Sequence, residues 1–272
     1  MALASQVRAA GLPKTCGDQP PPLVWIRPDH AGYLGPNIGV RPHAAVVDVL
    51  NVGVDGPLIF ESPEVGSMRP GSVYAPARVA HRVLVPEGRV LLLFADPARR
   101  PVSDASGTVR ESFGPFGFGH RSEAGIAAAC RDGAAPDVIA GYAGLRAAGP
   151  MTGSADPRST RLAETIRNAP DRVYRASQVA AGLGMSTSYF LRLFARDTGT
   201  TFRRYQQWAR LLRVVHGLAS GYDLTRSAVD AGFASPSHFS DTFRHTFGLS
   251  ATDLLRTGVR FDVSDSEPHV TI

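Results

Sequence analysis

Two stretches of this chain, residues 179–205 and 228–254, are versions of one pattern. Phe190 corresponds to Phe239, Phe194 to Phe243, Gly199 to Gly248 and Ser186 to Ser235, each pair 49 residues apart. Each copy reads as a short Ala-rich helix, a glycine turn and a longer helix that starts at a serine. The phenylalanines stand at i, i+4 spacing on one helix face, where packing in a core outweighs stacking on bases. The outline is that of a helix-turn-helix, whose second helix lies in the DNA major groove. Two such units in one chain can read two successive grooves.

Charge follows the repeat. Of the net +5, residues 156–260 carry +7 (15 Arg against 8 acids), residues 1–155 carry +1, and residues from 261 onward carry −3. Basic charge on the segment that holds the repeat is the electrostatic footprint of a DNA binder. Lys14 is the single Lys, a bias that a GC-rich genome explains. Cys16 and Cys130 form neither a disulfide framework nor a zinc spacing. The first residues lack a charged segment followed by an apolar core, so no signal peptide is expected. No stretch approaches the ~20 apolar residues of a membrane span. A cytoplasmic location and no membrane partner are the expectation.

Residues 20–96 read as short strands rich in Val, Leu and Phe, at 24–26, 45–50, 58–60, 72–74, 82–85 and 89–94. Turn formers at 55–57, 69–71 and 86–88 separate them, which predicts an all-β barrel or sandwich. Residues 97–119 are expected to be irregular. The run from Gly114 to Gly119 lacks the strand–loop–helix setting of a phosphate loop and reads as a loop. Helices are expected over 121–131 and 136–147, with a linker over 149–157. Further helices are expected at 158–168, 176–183, 186–197, 202–219, 224–231, 235–247 and 250–255. The 202–219 helix should span about 27 Å, with Trp208, Leu211, Leu212, Val215 and Leu218 on its apolar face. The fold class is α+β, an N-terminal β-barrel followed by an all-α domain of two helix-turn-helix units joined by a long helix.

The second unit resembles the DNA-binding domain of AraC-type transcriptional regulators at Ala228, Gly232-Phe233, Ser237-His238-Phe239-Ser240, Phe243 and Phe247-Gly248. The first unit resembles it at Ala180, Ser186, Tyr189, Phe190, Phe194, Gly199 and Phe202. The likeness covers about a hundred residues, and a repeated unit is far more specific than a single one. It implies that Ser188, Leu191 and Arg192 face the groove, with Ser237, Ser240 and Asp241 at the matching positions of the second unit. Arg192 can take guanine O6 and N7, and Leu191 a thymine methyl. Arg196, Arg203, Arg204 and Arg244 are expected at phosphates, where they position the protein without reading sequence. The chain departs from the family at Asp241, usually Arg, and at Ala251, usually Pro. An acid facing phosphates repels them, although it can accept from cytosine N4.

Residues 43–50, 56–59, 76–82 and 91–97, in that order, are similar to the small cupin-type sensor domain that precedes many such regulators. His43 and His81 are its candidate ligand-facing residues. The paired His-x-His of metal cupins is absent and no Glu follows at the right distance. Two ligands do not hold a metal firmly, so neither a metal nor a cofactor is expected.

These readings divide the chain into a cupin-like sensor (1–120), a helical segment and linker (121–157), a double helix-turn-helix (158–257) and an acidic tail (258–272). The function implied is sequence-specific regulation of transcription, not catalysis. Double-stranded DNA, RNA polymerase, a small-molecule effector and a second copy of the chain are the implied partners. The homodimer is expected to form through 122–148, by Ile126, Ile139, Tyr142 and Leu145. Two other readings stand beside it. One is a cupin-type enzyme with an appended DNA-binding domain, which a metal constellation would mark. The other is a ligand-independent DNA-binding protein whose barrel only dimerises.

Overall fold

The structure is a computed structural model that describes residues 20–98, 108–145 and 155–263. Lys14, Cys16, most of the expected 149–157 linker and the acidic tail beyond Val263 lie outside them. Strands come first: β1 (Leu23–Ile26), β2 (His30–Pro36), β3 (Val49–Gly53), β4 (Ile59–Ser62), β5 (Gly66–Met68), β6 (Ser72–Ala75), β7 (Arg82–Leu84), β8 (Arg89–Ala95), β9 (Val109–Phe113) and β10 (Phe116–His120). Helices follow: α1 (Glu123–Arg131), α2 (Pro136–Tyr142), α3 (Pro157–Asn168), α4 (Ala176–Gly182), α5 (Thr187–Thr198), α6 (Phe202–Ala219), α7 (Leu224–Asp230), α8 (Pro236–Phe247) and α9 (Ala251–Arg256). A last strand, β11 (Arg260–Val263), closes the order. No helix among the described residues is long and apolar enough to cross a membrane.

Eight strands pair in the order β11-β1-β2-β8-β3-β6-β10-β9, and three more in the order β5-β4-β7. The large sheet is open at β11 and β9, so the described strands do not close into the expected barrel. It is covered on both faces, which explains why β8 is apolar from Val90 to Ala95. Val90 and Phe94 face inward to a core shared with the helix-turn-helix domain. Leu91 and Leu93 face outward to Ile126, Cys130 and Ile139 of α1 and α2. The α1–α2 pair therefore buries its apolar stripe on its own sheet. Ile139, expected at a subunit contact, is 1% exposed inside the chain; of the large apolar side chains of α2, Val138 and Tyr142 remain half exposed.

Several elements differ from the sequence expectation, among them β5 and β9, which form where no strand was expected. The run 114–119, read as a loop, is the turn and second strand of a hairpin that pairs Phe116 with Phe113 and Phe118 with Glu111. Its alternating Phe116 and Phe118 point into the core against Phe60, a period-2 signal hidden by the glycines between them. β2 carries two glycines and a proline, which argue against a strand. Gly32 is there because the Trp25 indole lies on it; a Cβ would stand 2.1 Å from Trp25 Cζ2. The start of the expected acidic tail is β11, which pairs in parallel with β1 from Leu23↔Arg260 to Ile26↔Val263.

The repeat is present in three dimensions with one refinement. α5 and α8 are each twelve residues long and start 49 residues apart. The helices before them, α4 and α7, are each seven residues long and start 48 apart. The second unit therefore carries one extra residue in its turn, between Gly232 and the Ser235 cap. α6 joins the units and packs Tyr205, Trp208, Leu211 and Leu212 into the shared core.

The segment 40–46 of the β domain meets both units. Arg41 N–H donates to the Gly248 carbonyl at 2.8 Å, just past α8. The Thr200 hydroxyl donates to the Val46 carbonyl at 3.3 Å, just past α5. Gly248 (φ +71) has no room for a side chain, since a Cβ would lie 2.4 Å from the Arg41 carbonyl oxygen. Asp96, at the end of β8 and 1% exposed, is bound by Arg167 of α3 and by the Tyr205 hydroxyl at 3.4 Å.

Candidate nucleic-acid interface

The two candidate reading helices are built by the same local devices. Ser186 accepts from Tyr189 N–H at 3.3 Å, and Ser235 accepts from His238 N–H at 3.1 Å. Each satisfies an amide that the first helical turn would leave unpaired. Gly199 and Gly248, both left-handed, end the helices, as C-terminal glycine caps do. Phe190, Phe194, Phe239 and Phe243 all turn inward and are at most 8% exposed. Phe190 and Phe194 meet Phe202 at 5.1 and 5.4 Å; Phe239 meets Phe233 at 5.2 Å. These rings hold the helices in place, as expected.

The opposite faces are open. In α5, Ser188, Leu191 and Arg192 are exposed, and among the described residues Arg192 makes no hydrogen bond or ion pair. In α8, Ser237 and Asp241 are exposed and Ser240 is half-buried. Ser240 donates to the Pro236 carbonyl at 2.9 Å. Asp241 lies 3.6 Å from Arg244, so the acid that departs from the family pattern has a cation one turn on.

The four arginines expected at phosphates divide into two kinds. Arg196 is held by the buried Asp197 at 2.7 Å, and Arg244 by Asp241. Arg203 and Arg204, on the first turn of α6, have no acid against them among the described residues. Burial and the like charges of Arg78 and Arg203 pull the Arg204 guanidinium below its ordinary value. Arg78 comes from the β domain. It is the one non-glycine among the described residues with a positive φ, at 75°, and nothing in the sequence marked it. A cleft of about 650 Å³ brings Arg203, Arg204 and Gln207 together with His238, Asp241 and His245 of α8. An anion entering this cleft would relieve the repulsion between Arg203 and Arg204.

His43 and His81, far apart in sequence, form an antiparallel bridge with their rings 4.8 Å apart. Each ring Nδ1 pairs with a backbone carbonyl, of Arg41 at 3.0 Å and of Val79 at 2.9 Å. Burial and the His81 ring pull His43 down to about 4, and burial also lowers His81, so both are neutral at pH 7. Among the described residues no group of three or more His, Cys, Asp or Glu is placed to hold a metal. His81 packs into the Phe60 and Phe116 core. His43 instead lines a cavity of about 110 Å³ between the inner sheet face and the helix-turn-helix domain. Trp208 of α6 and Phe243 and Phe247 of α8 form its far wall.

Comparison with known proteins follows the same division. Residues 179–257 match the family described as a helix-turn-helix domain. The chain is 34% identical over 96 residues to the bifunctional transcriptional activator/DNA repair enzyme Ada of Escherichia coli strain K12. That match covers 34% of this chain and 26% of Ada, so the chain spans about a quarter of the length of this curated relative. In overall fold the chain is similar to ToxT from Vibrio cholerae strain SCE256, solved with unsaturated fatty acid bound. The TM-score is 0.55 at 12% identity, over 86% of this chain and 98% of that one. ToxT from Vibrio cholerae O395 gives a TM-score of 0.54 at 13% identity, over 84% of this chain and 96% of that one. At such identity the likeness is one of fold, and it extends over both domains.

Proposed function

We propose, from the premise that the chain is an AraC-type regulator with an N-terminal β domain, that it binds DNA sequence-specifically under control of a signal received by that domain. One observation carries the reading: α5 and α8 are equal in length, capped alike, and present unobstructed polar faces from a single packed body. In this reading Ser188, Leu191 and Arg192 contact bases in one major-groove segment, and Ser237, Ser240 and Asp241 in the next. Arg203 and Arg204 contact phosphates between them, helped by Arg196 and Arg244. Residues 1–120 receive the signal, 121–157 are a helical segment and linker, 158–257 read DNA, and 258–272 are an acidic tail of which Arg260–Val263 pairs with β1. The effector is a small molecule, and RNA polymerase is the machine acted upon, in the cytoplasm. The chain performs no catalysis.

A homodimer belongs to the same reading. Its contacts come from Val138 and Tyr142 on the outer face of α2, since Ile139 is spent on the chain's own core. Light scattering at micromolar concentration is expected to give twice 28.9 kDa; a wild-type monomer with and without DNA would remove the dimer from the account. DNA binding itself is tested by footprinting the full chain on sites selected from random duplexes. Protection of two major-groove segments on one face supports the reading.

A further inference from the structure

The cavity between the sheet and the helix-turn-helix domain has no charged side chain on its wall, and that restricts what can enter it. Its polar groups are few and mostly committed. Asn51 Nδ2 donates to the Val73 carbonyl at 3.2 Å, Asn37 Nδ2 to the Val83 carbonyl at 3.2 Å, and the Tyr33 hydroxyl to the Pro36 carbonyl at 2.7 Å. His43 is neutral and its Nδ1 is engaged with the Arg41 carbonyl. Two lining residues, Trp25 and Trp208, carry a buried indole N–H with no partner among the described residues. The Trp25 ring packs in the outer cluster with Leu91 and Leu93, which leaves Trp208 on the cavity side. Trp208 is 2% exposed and its ring leans on Phe94 at 5.8 Å. A buried donor left unpaired is costly, and one that borders a cavity is a place where an acceptor on an occupant would be held.

We propose that this cavity takes a small uncharged molecule, apolar over most of its surface, whose single hydrogen-bond acceptor is met by the Trp208 indole N–H. The proposal rests on the reading of the β domain as a signal receiver and names the chemistry of that signal. Size bounds the occupant: a cavity of about 110 Å³ is smaller than the dry apolar cavities near ~150 Å³ that hold benzene, so it takes about one six-membered ring, and a short substituent enters only as the wall moves. Charge agrees as well. An ionised carboxylate would give up its hydration for one neutral donor and no cation, a transfer that drives such groups to neutralise or stay out.

The position of the cavity connects occupancy to DNA reading. Its occupant touches Trp208 on α6, and Phe243, Phe247 and Leu249 in the second unit. It also touches Val40 and His43 of the segment bonded to Gly248. No residue of α5 lines it. Occupancy therefore acts on the second reading helix and leaves the first in place, changing the separation of the pair. A ligand shifts that equilibrium only through its different affinity for the two arrangements.

Acetophenone, benzoate and cumene share nearly one shape and differ in charge and in acceptor, so they serve as probes. Calorimetry on the full chain at pH 7.5 without DNA measures each affinity. Acetophenone is expected to bind at least about 100-fold more tightly than benzoate and roughly threefold to tenfold more tightly than cumene. Trp208→Phe is expected to abolish the preference over cumene and leave cumene itself bound. Should that variant fail to fold, Leu212→Trp, which fills the cavity, is expected to abolish acetophenone binding in the folded chain. Benzoate binding as tightly as acetophenone overturns the proposal, as does failure of all three probes to bind, or an acetophenone-to-cumene ratio unmoved by Trp208→Phe. These affinities are read without DNA. Their failure leaves a two-segment footprint standing, and loss of the footprint leaves them standing.

Discussion

Arg192 and Arg203 are both exposed and have no acid partner among the described residues, yet their expected roles differ. Arg192→Ala is expected to cost about 1–3 kcal/mol on the best site and to relax preference at one base pair. Arg203→Ala is expected to weaken all sequences alike and reduce the salt slope by about 1, because one fewer counterion is released. Binding titrations at several salt concentrations, on matched and mismatched duplexes, separate the two; a common change of specificity would show the assignment to be wrong. Titration marks a third residue. The unfolded chain takes a proton on His43 near 6.5, and the folded chain only near 4. The unfolded state therefore binds more protons throughout that window, and stability held above pH 6.5 is lost as pH falls towards 4. Thermal unfolding from pH 7 to 4 should show a falling midpoint, with a shallower slope in His43→Asn; an unchanged slope contradicts a His43 imidazole held neutral by the fold. At this scale the sequence showed which positions face outward, since helix periodicity fixes that. It gave no hint of Arg78, whose role depends on a left-handed backbone and a neighbour 126 positions away at Arg204.

Elements were legible wherever local pattern and tertiary demand agree. The helices from α3 to α9 follow their caps and apolar stripes, and β1, β6, β7 and β8 follow their branched residues. Five strands escaped because their composition serves contacts rather than propensity: β2 gives up side chains to admit Trp25, β10 alternates Phe with Gly, β11 is short and polar at an edge, β5 is only three residues with a glycine and a serine, and β9 is exposed and polar for most of its length. The α1–α2 pair carried an apolar stripe whose partner the sequence could not name, and that partner is the sheet. Ile139→Asp is therefore expected to destabilise the fold itself, by about 3–5 kcal/mol for a buried unpaired charge, rather than release a folded monomer. Chemical denaturation measures this; a variant of wild-type stability would mean that Ile139 is not in the core.

Across the whole molecule, the β domain and the reading domain share one hydrophobic core, and the chain crosses between them twice. It leaves the sheet after β10 and returns to its edge as β11. Arg27 clasps that return, bonding Asp262 at 3.0 Å, while Asp96 holds Arg167 and Tyr205 from the far end of β8. The two candidate reading helices are thus tied to each other through α6 and the 40–46 segment at once. Such a body presents both helices together, which a single helix-turn-helix on a flexible tether would not do. The measurement that tests this most directly is hydroxyl-radical footprinting of the full chain on its selected site, with Arg192→Ala alongside. The account expects two protected major-groove segments on one face about 34 Å apart, with the Arg192→Ala loss confined to one of them. Protection of a single segment by the wild-type chain would contradict a two-headed reader.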